Sequence, residues 1–355
     1  MTNFYDRWLG YWDEAAEERR VARRSIHPDE FEWVDTEHDH RAALLISRET
    51  GFRTWGTTTM LSEIPAGACT GLRKSGEQAV YIVAGTGFSV IDDVRYDWKK
   101  GSVLAIPFGA PHRHYNTGEV PARYLTALTV DLERFVGMHR TTQLEGRRDS
   151  FGVPQVRVSA DGLAPDGTRI LLHREQGTVR ESQKSATLAE LPKFDEQNPL
   201  IVGDGDGMNR VIPIESHNAA TIDFMRNRLK ARSDMNSFSI TSAEISGILV
   251  NAPHEYGGMH AHMEAHLFIL AGSGHSVIDG EKVEWSEGSA LQVQGPQTSH
   301  RHVNLSDEPS EMLRIAFGIR YYFEGFAKRE FPYLYLAMRQ GYDQDTPAAT
   351  GLEAR

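Results

Sequence analysis

The fold is decided by a stretch that the chain carries twice, as Ala84-Gly85-Thr86-Gly87-Phe88-Ser89-Val90-Ile91-Asp92 and again as Ala271-Gly272-Ser273-Gly274-His275-Ser276-Val277-Ile278-Asp279. The match continues downstream, where Trp98 and Gly101 align with Trp285 and Gly288. The copies end on His112-Arg113-His114-Tyr115-Asn116 and His300-Arg301-His302-Val303-Asn304. Short apolar runs broken by glycine are typical of strands in sandwiches and barrels. The chain is therefore predicted to hold two copies of one β-barrel.

Strand-like runs surround the first copy of the repeat. They lie at residues 55–64, 79–83, 87–91, 102–106 and 123–130. Before them, residues 4–24 form an amphipathic pattern that predicts a helix packed on a neighbouring surface or subunit. The region from 132 to 237 shows no regular pattern, and an aromatic run follows residue 317.

A histidine-rich segment in the second copy predicts a metal site. His260 and His262 are two residues apart, so on a strand both side chains emerge on the same face. His300 follows a second strand-like run and a turn, and it can return beside this pair to complete a set of three imidazoles. Neutral imidazole suits iron, copper, nickel, manganese and zinc, so the cluster indicates a metal without identifying it.

Two other interpretations apply to the same segment. His262 and His266 have the four-residue spacing of a zinc site on a helix. However, Glu264 lies midway between them, and flanking glycines leave too short a segment for a stable helix. Ordinary surface histidines are the second alternative, and the density of paired histidines argues against it.

The two copies differ where the histidine pair should stand. The second has His260-Ala261-His262, whereas the first has Arg73-Lys74-Ser75. A cationic side chain is a poor ligand and repels a metal ion. Barrel one keeps His112 and His114, but we expect it not to assemble three imidazoles and to be metal-free. The upstream His38-Asp39-His40 offers imidazoles that nothing in the sequence completes. The prediction is one metal per chain, in barrel two.

Composition limits the class of protein. The net charge of −11 disfavours nucleic acid as a partner. The single cysteine, Cys69, excludes an internal disulfide and fits a reducing compartment. No apolar run reaches the roughly 18 residues that a membrane span needs. We therefore expect a cytoplasmic protein that binds neither nucleic acid nor membrane.

The motifs of the second copy resemble those of the cupin family. The shared pattern is His-x-His, an apolar strand and Gly-x-Gly, followed by Trp285, Gly288, Pro296, and His300 with Asn304. In the family a glutamate stands four residues after the second histidine. That position is His266 here, and Glu264 lies two residues earlier. Both are candidates for a catalytic group beside the metal, and which of them faces it stays open.

The repeat and the resemblance together imply an all-β bicupin. This fold consists of two double-stranded β-helix (jelly-roll) barrels, here with N- and C-terminal helical extensions. The predicted divisions are an N-terminal helical extension (1–50), cupin barrel 1 without metal (51–135), a linker and irregular region (136–237), cupin barrel 2 with the metal (238–320), and a C-terminal aromatic helix and tail (321–355).

Bicupins with a three-histidine site resemble ring-cleaving dioxygenases. These are the gentisate, salicylate and 1-hydroxy-2-naphthoate dioxygenases and the large subunit of hydroquinone dioxygenase. The resemblance implies Fe(II), with manganese, nickel or zinc not excluded, and a phenolic substrate cleaved with O2. His302 matches the position of a histidine that transfers protons beside the metal ligands. We expect a homo-oligomer, and a hetero-oligomer with a small subunit stays open.

Two departures from this group bear on the substrate. In the gentisate and salicylate enzymes the working iron sits in the first barrel, whereas the sequence here places it in the second. Those enzymes also hold the substrate carboxylate with an arginine, at a position that is about Leu267 here. Both departures favour a substrate without a ring carboxylate, unless Arg314 or Arg320 supplies the cation. The alternative function is another metal-dependent cupin enzyme, either an oxygenase of a non-aromatic substrate or a redox-neutral lyase, isomerase or decarboxylase.

Overall fold

The structure, a computed structural model, describes residues 3–54, 56–138, 141–181, 219–223, 243–257, 264–295, 298 and 300–317. The first half contains α1 (Phe4–Val21), β1 (Ser25–Ile26), a 3-10 turn (Pro28–Glu30), β2 (Arg41–Ile46), β3 (Thr58–Ile64), β4 (Leu72–Lys74), β5 (Gln78–Ala84), β6 (Thr86–Ile91), β7 (Val94–Lys99), β8 (Val103–Ile106), β9 (His112–Asn116), β10 (Ala122–Leu128) and α2 (Val130–Phe135). The remainder contains β11 (Thr142–Glu145), β12 (Arg157–Val158), β13 (Leu171–Leu172), a 3-10 turn (Arg174–Gln176), β14 (Thr178–Glu181), β15 (Ala219–Asp223), β16 (Ala243–Asn251), β17 (Ala265–Ala271), β18 (Ser273–Ile278), β19 (Glu281–Ser286), β20 (Ala290–Val293), β21 (His300–Asn304) and β22 (Ser310–Phe317).

Each half of the chain folds into two facing sheets. Barrel one has a sheet of order β13-β8-β5-β10-β3-β2 and a second of order β11-β4-β9-β6-β7-β12. In barrel two the corresponding sheets are β1-β20-β17-β22-β16-β15-β14 and β19-β18-β21. The strands predicted for barrel one are confirmed, and equivalent strands follow each copy of the repeat.

Alternate residues on β5 explain how the barrels pack together. Val80 and Ile82 point into barrel one, among the side chains that fill its interior. Tyr81 points the other way, into a second core that also contains Phe268 and Leu313 of barrel two. Because successive side chains of a strand point to opposite faces, one sheet of each barrel is buried on both sides.

The two barrels also exchange strands. Strand β1 pairs with β20 of barrel two, and β13 pairs with β8 of barrel one. The histidine directly after each of these two strands lies next to a serine. That serine directly precedes the strand with which the short strand pairs. His27 Nδ1 lies 3.1 Å from Ser289 Oγ, and His173 Nδ1 lies 2.9 Å from Ser102 Oγ. A two-residue strand before each barrel therefore extends a sheet of the other barrel.

These pairings correct two predicted boundaries. The N-terminal extension is not wholly helical, because β2 joins barrel one and β1 joins barrel two. The linker is not irregular throughout either, since β11, β12 and β13 join barrel one while β14 and β15 join barrel two. The helix predicted at the N-terminus is confirmed as α1. Phe4 and Trp8 are each 58% exposed in the single chain, and packing of this helix on another subunit stays a prediction. The predicted C-terminal aromatic helix lies outside the described residues.

No helix among the described residues is both long enough and apolar enough to cross a membrane.

Glycine at the start of the repeated strand allows a close approach between neighbouring strands. A Cβ atom at Gly87 would lie 2.0 Å from the Tyr115 carbonyl oxygen, and one at Gly274 would lie 2.0 Å from the Val303 carbonyl oxygen. A tryptophan ring, Trp98 or Trp285, packs against each glycine. Only glycine fits at these two positions without moving the backbone.

We expect Gly87→Ala and Gly274→Ala each to lower the free energy of unfolding by roughly 1–3 kcal/mol, the usual cost of overpacking. Urea denaturation of the purified variants would measure this. Gly10→Ala is the matched control, because a Cβ there meets nothing within 4 Å and alanine favours the helix. Wild-type stability in both strand variants would contradict the close approach.

Candidate functional site

Three buried imidazoles meet inside barrel one. His38, His112 and His114 each offer a ring nitrogen, and these three atoms lie within 4.8 Å of one another. The ring centroids of His38 are 5.7 Å from His112 and 6.3 Å from His114, and the other two rings are 5.8 Å apart. We call this set the barrel-one triad.

His38 reaches the interior from a short loop before β2. The Thr36 hydroxyl accepts hydrogen bonds from the backbone N–H of His38 (3.2 Å) and of Asp39 (2.7 Å). The Gly71 N–H donates to the His38 carbonyl at 2.8 Å. Arg147 donates to the Thr36 and Asp39 carbonyls at 3.1 and 3.0 Å. These contacts hold the loop on both sides, so they also fix the direction in which the His38 imidazole points.

His112 and His114 are two residues apart on β9, so their rings share the inner face. His112 Nδ1 lies 3.0 Å from the Ala110 carbonyl, which can only accept, so this nitrogen carries the proton. His114 Nδ1 lies 2.6 Å from Ser89 Oγ, which also accepts from the Trp98 indole N–H at 2.9 Å. The contact of His112 directs its Nε2 lone pair into the cavity, the orientation in which histidine ligates metals.

The triad fits a metal ion by its donor set and by its unsatisfied nitrogens. Neither ring nitrogen of His38 has a hydrogen-bond partner among the residues that the structure describes, although the side chain is buried. Burial lowers the pKa of His38 and His112 well below the usual value, and the charge of Arg73 lowers it further. The same two causes lower the pKa of His114 to about 3. The rings are therefore neutral near pH 7, the form that binds metals.

A cation and an amide stand beside the triad. Arg73, on β4, pairs across the strands with His112, and its Nε donates to His112 Nε2 at 3.3 Å. Its Nη2 donates to Gln78 Oε1 at 3.3 Å. The Gln78 amide nitrogen is 3.5 Å from His112 Nε2. The cavity thus combines three neutral nitrogen ligands with one positive charge.

A buried acid lies behind the triad. The Tyr124 hydroxyl donates a short hydrogen bond to Asp39 Oδ1. Burial raises the pKa of Asp39, and burial together with this carboxyl raises the pKa of Tyr124 well above its usual value. The Tyr124 ring is 5.0 Å from that of His114, measured between centroids. The pair closes one wall of the cavity and places a proton-bearing group next to a potential ligand.

Barrel two repeats part of this arrangement. His300 Nδ1 lies 3.0 Å from the Thr298 carbonyl, and His302 Nδ1 lies 2.7 Å from Ser276 Oγ, which accepts from the Trp285 indole at 3.1 Å. His302 is thus the counterpart of His114 of the triad. Its predicted proton-transfer role stays a prediction, and so does the ligand role of His300. The other two predicted ligands, His260 and His262, lie outside the described residues.

The structure places His266 and Glu264 between the barrels. His266 Nδ1 lies 2.7 Å from Thr59 Oγ1 on β3 of barrel one, and its Nε2 is 3.0 Å from Glu264 Oε1. That oxygen also accepts from Gln292 Nε2 at 2.7 Å. On β17, Leu267 packs in the core of barrel two, so His266 faces the opposite side. This position gives the two residues a structural contact, and their catalytic role stays a prediction.

Arg314 is one of the two arginines that the sequence offered as a cation for a substrate carboxylate in barrel two. It pairs with Leu267 across β22 and β17, so both side chains lie on the inner face of that barrel. Its Nε lies 3.5 Å from Ser246 Oγ, and the side chain is half-buried. Arg320, the other candidate, lies outside the described residues.

The expectation that barrel one cannot assemble three imidazoles is wrong. The sequence shows Arg73 and Ser75 where the histidine pair should be, but His38 enters from the loop before β2 and supplies the third ring. Two of the three imidazoles therefore come from β9, and the third comes from a loop that precedes the repeated motif. The signal that could have found it was His38-Asp39-His40, a paired histidine directly before an apolar strand.

Comparison with known proteins agrees with the repeat. The sequence matches the cupin domain at residues 60–128 and 247–316. An uncharacterized protein of Methanocaldococcus jannaschii is 36% identical over 64 residues, which is 18% of this chain and 51% of that protein. The match thus spans about half the length of this curated relative.

Among solved structures, a mutant of Bacillus subtilis oxalate decarboxylase aligns with a TM-score of 0.57 at 13% identity, covering 84% of this chain and 78% of that one. Salicylate 1,2-dioxygenase from Pseudoaminobacter salicylatoxidans, in adducts with gentisate, aligns with a TM-score of 0.48 at 8% identity, covering 76% and 70%. At such identities the likeness concerns the fold alone.

Proposed function

We propose that this chain, in which two regions match the cupin domain, is a metal-dependent dioxygenase that opens the ring of a hydroxylated aromatic with O2 at the barrel-one triad. The observation that carries the proposal is the buried, unsatisfied His38 imidazole facing His112 and His114. A neutral imidazole buried without a hydrogen bond costs free energy unless a ligand occupies it. Together with ring nitrogens of His112 and His114, this imidazole offers three neutral nitrogens that could hold a metal.

The three histidines would hold the metal, and their surroundings fix their directions. When bound, ferrous iron supplies the electron transfer that lets a phenol react with O2; manganese, nickel and zinc suit the same nitrogens. The Ala110 carbonyl sets the His112 ring so that Nε2 points into the cavity. The Thr36 and Arg147 contacts keep the His38 loop from moving. Burial of the triad keeps bulk water away from the reacting groups.

This placement removes one of the two departures from the gentisate and salicylate enzymes. The sequence interpretation placed the metal in barrel two only, whereas the described triad lies in the first barrel, as it does in those enzymes. The predicted site of His260, His262 and His300 in barrel two is retained as a second proposal. The two sites can be tested independently because they share no residue.

Oxygen uptake by the Fe(II)-loaded protein tests the activity. With a panel of dihydroxy-aromatics and hydroxybenzoates in an oxygen electrode, we expect one O2 consumed per ring opened, with loss of the ring absorbance. Both oxygen atoms should appear in the product when 18O2 is used. His112→Ala serves as the control and should be inactive. Equal turnover without oxygen would contradict the proposal and favour a redox-neutral cupin enzyme.

A further inference from the structure

Three buried side chains form a chain of hydrogen bonds behind the barrel-one triad. The Trp98 indole N–H donates to Ser89 Oγ at 2.9 Å, and this oxygen lies 2.6 Å from His114 Nδ1. Ser89 is fully buried, and its hydroxyl contacts no other hydrogen-bonding group among the residues that the structure describes. The positions of the protons in this chain therefore follow from which atoms can donate.

The contacts of Ser89 decide which nitrogen of His114 carries the proton. An indole nitrogen can only donate, so the Trp98 contact uses one lone pair of Ser89 Oγ. The hydroxyl proton of Ser89 then has one described acceptor, which is the Nδ1 lone pair of His114. A buried hydroxyl without an acceptor is unfavourable, so Nδ1 accepts. The neutral imidazole of His114 consequently carries its proton on Nε2.

His112, two residues away on β9, has the opposite arrangement. Its Nδ1 faces the Ala110 carbonyl, which can only accept, so the proton lies on Nδ1 and Nε2 keeps its lone pair. His112 is thus a ready ligand, whereas His114 presents an N–H on the nitrogen that faces away from Ser89. A metal can bind that nitrogen only after the ring proton moves to Nδ1. The Ser89 hydroxyl proton then loses its described acceptor.

The same pair of arrangements recurs in barrel two. The Trp285 indole N–H donates to Ser276 Oγ at 3.1 Å, and this oxygen lies 2.7 Å from His302 Nδ1. Two residues earlier on β21, His300 Nδ1 lies 3.0 Å from the Thr298 carbonyl. Because the arrangement occurs at two separate places in the fold, it belongs to the repeated motif and not to one barrel.

We propose that Ser89, held in place by Trp98, keeps the proton of His114 on Nε2 until a metal binds, when the ring proton moves to Nδ1. This inference rests on the proposed function, because it takes the barrel-one triad as the ligand set. The imidazole gains and loses one proton, so it stays neutral, and Ser89 changes from a donor to an acceptor. Ser89 and Trp98 are thus positioning residues, and their counterparts in barrel two have the same role.

Long-range proton–nitrogen NMR spectra of the protein labelled with 15N-histidine distinguish the two tautomers. In the metal-free wild type we expect the proton of His114 on Nε2 and that of His112 on Nδ1, with the same pattern for their counterparts on β21. The variants His114→Gln and His112→Gln assign the signals through the peaks that they remove. A proton on Nδ1 of His114 in the metal-free protein would overturn the proposal.

Variants of the two serines test what sets the tautomer. Ser89→Ala removes the hydroxyl, so His114 should populate both tautomers while His302 stays unchanged as an internal control. Ser89→Thr keeps the hydroxyl and should restore the single Nε2–H form of His114. Ser276→Ala should change His302 alone, and it replaces Ser89→Ala should the latter fail to fold. A His114 that kept one tautomer in Ser89→Ala would refute the role of Ser89.

Zn(II), which is diamagnetic, tests the proton shift itself. On saturation of the wild type, His114 should lose the N–H at Nε2 and gain one at Nδ1. Ser89→Asp places a carboxylate that can only accept, so it should hold the Nδ1–H form before Zn(II) is added. We expect this variant to bind Zn(II) at barrel one at least about tenfold more tightly than the wild type, as for other groups that orient a ligand.

Isothermal titration calorimetry measures that affinity, and the component lost in His112→Gln identifies barrel one. Zn(II) bound at barrel one while His114 kept its proton on Nε2 would refute the shift. If barrel one bound no Zn(II) in the wild type or in Ser89→Asp, the triad itself would be refuted, and the proposed function with it. The metal-free tautomers are measured separately, so the two failures are distinguishable.

Discussion

We expect His38→Ala to abolish metal binding at the barrel-one triad and to reduce the proposed oxygen uptake by more than about 100-fold, which is the upper range for losing a residue that only supports a ligand. The reason is that His38 supplies one of only three neutral nitrogens in the described cavity, and nothing nearby can replace it. Elemental analysis of the Fe(II)-loaded variant, beside the oxygen electrode, measures both effects. The fold should survive, because the loop is held by Thr36 and Arg147 rather than by the imidazole.

His40→Ala is the matched control for this prediction. His40 is also buried and lies two residues from His38, but its Nε2 contacts the Cys69 carbonyl at 3.1 Å. This variant should keep its metal even if its melting temperature falls. A His38→Ala protein with full metal occupancy at barrel one would show that the triad is not the ligand set.

His266→Ala is expected to lower the free energy of unfolding by roughly 1–3 kcal/mol, the usual cost of removing one partner of a buried hydrogen bond. Glu264 is fully buried, and its contacts include His266 and Gln292. Loss of the imidazole also removes the contact with Thr59 of the other barrel. Urea denaturation followed by tryptophan fluorescence measures the change.

Two further observations distinguish this structural role from catalysis. His254→Ala is the control. That side chain is 63% exposed and its partner Asp307 is 96% exposed, so the free energy of unfolding should hardly change. Metal content and turnover per folded molecule should stay at the wild-type level in His266→Ala. Loss of turnover with unchanged stability would instead support the catalytic role predicted from the sequence.

The fold could be predicted from the sequence because the repeated motif lies within a short stretch of chain and requires glycine at fixed positions. In each copy the pattern joins a strand of one sheet to a strand of the facing sheet through a single glycine, and Gly87 and Gly274 both meet a carbonyl oxygen at a distance that excludes a side chain. What the pattern could not show was the strand exchange. Strands β1 and β13 are two residues long, and such short runs carry no periodicity.

The barrel-one triad was missed for a related reason. The motif places ligands on the strands that form the repeat, and at that position barrel one has Arg73, which suggests a site without metal. His38 comes instead from a loop whose direction depends on Arg147, far along the chain. Contacts of this kind are set by tertiary structure, so the paired histidines His38 and His40 mark a possible ligand but do not show that it meets His112 and His114.

The position of His266 could not be read from the sequence either. Its place in the motif suggests a group facing the metal, but the register of β17 turns it towards Thr59 of the other barrel. A shift of one residue along a strand moves a side chain to the opposite face.

The most direct test of the barrel-one metal site is anomalous diffraction from crystals soaked in Mn(II). We predict an anomalous peak inside barrel one, beside the ring nitrogens of His38, His112 and His114. Manganese found only among the histidines of barrel two, with none at the barrel-one triad, would contradict this prediction.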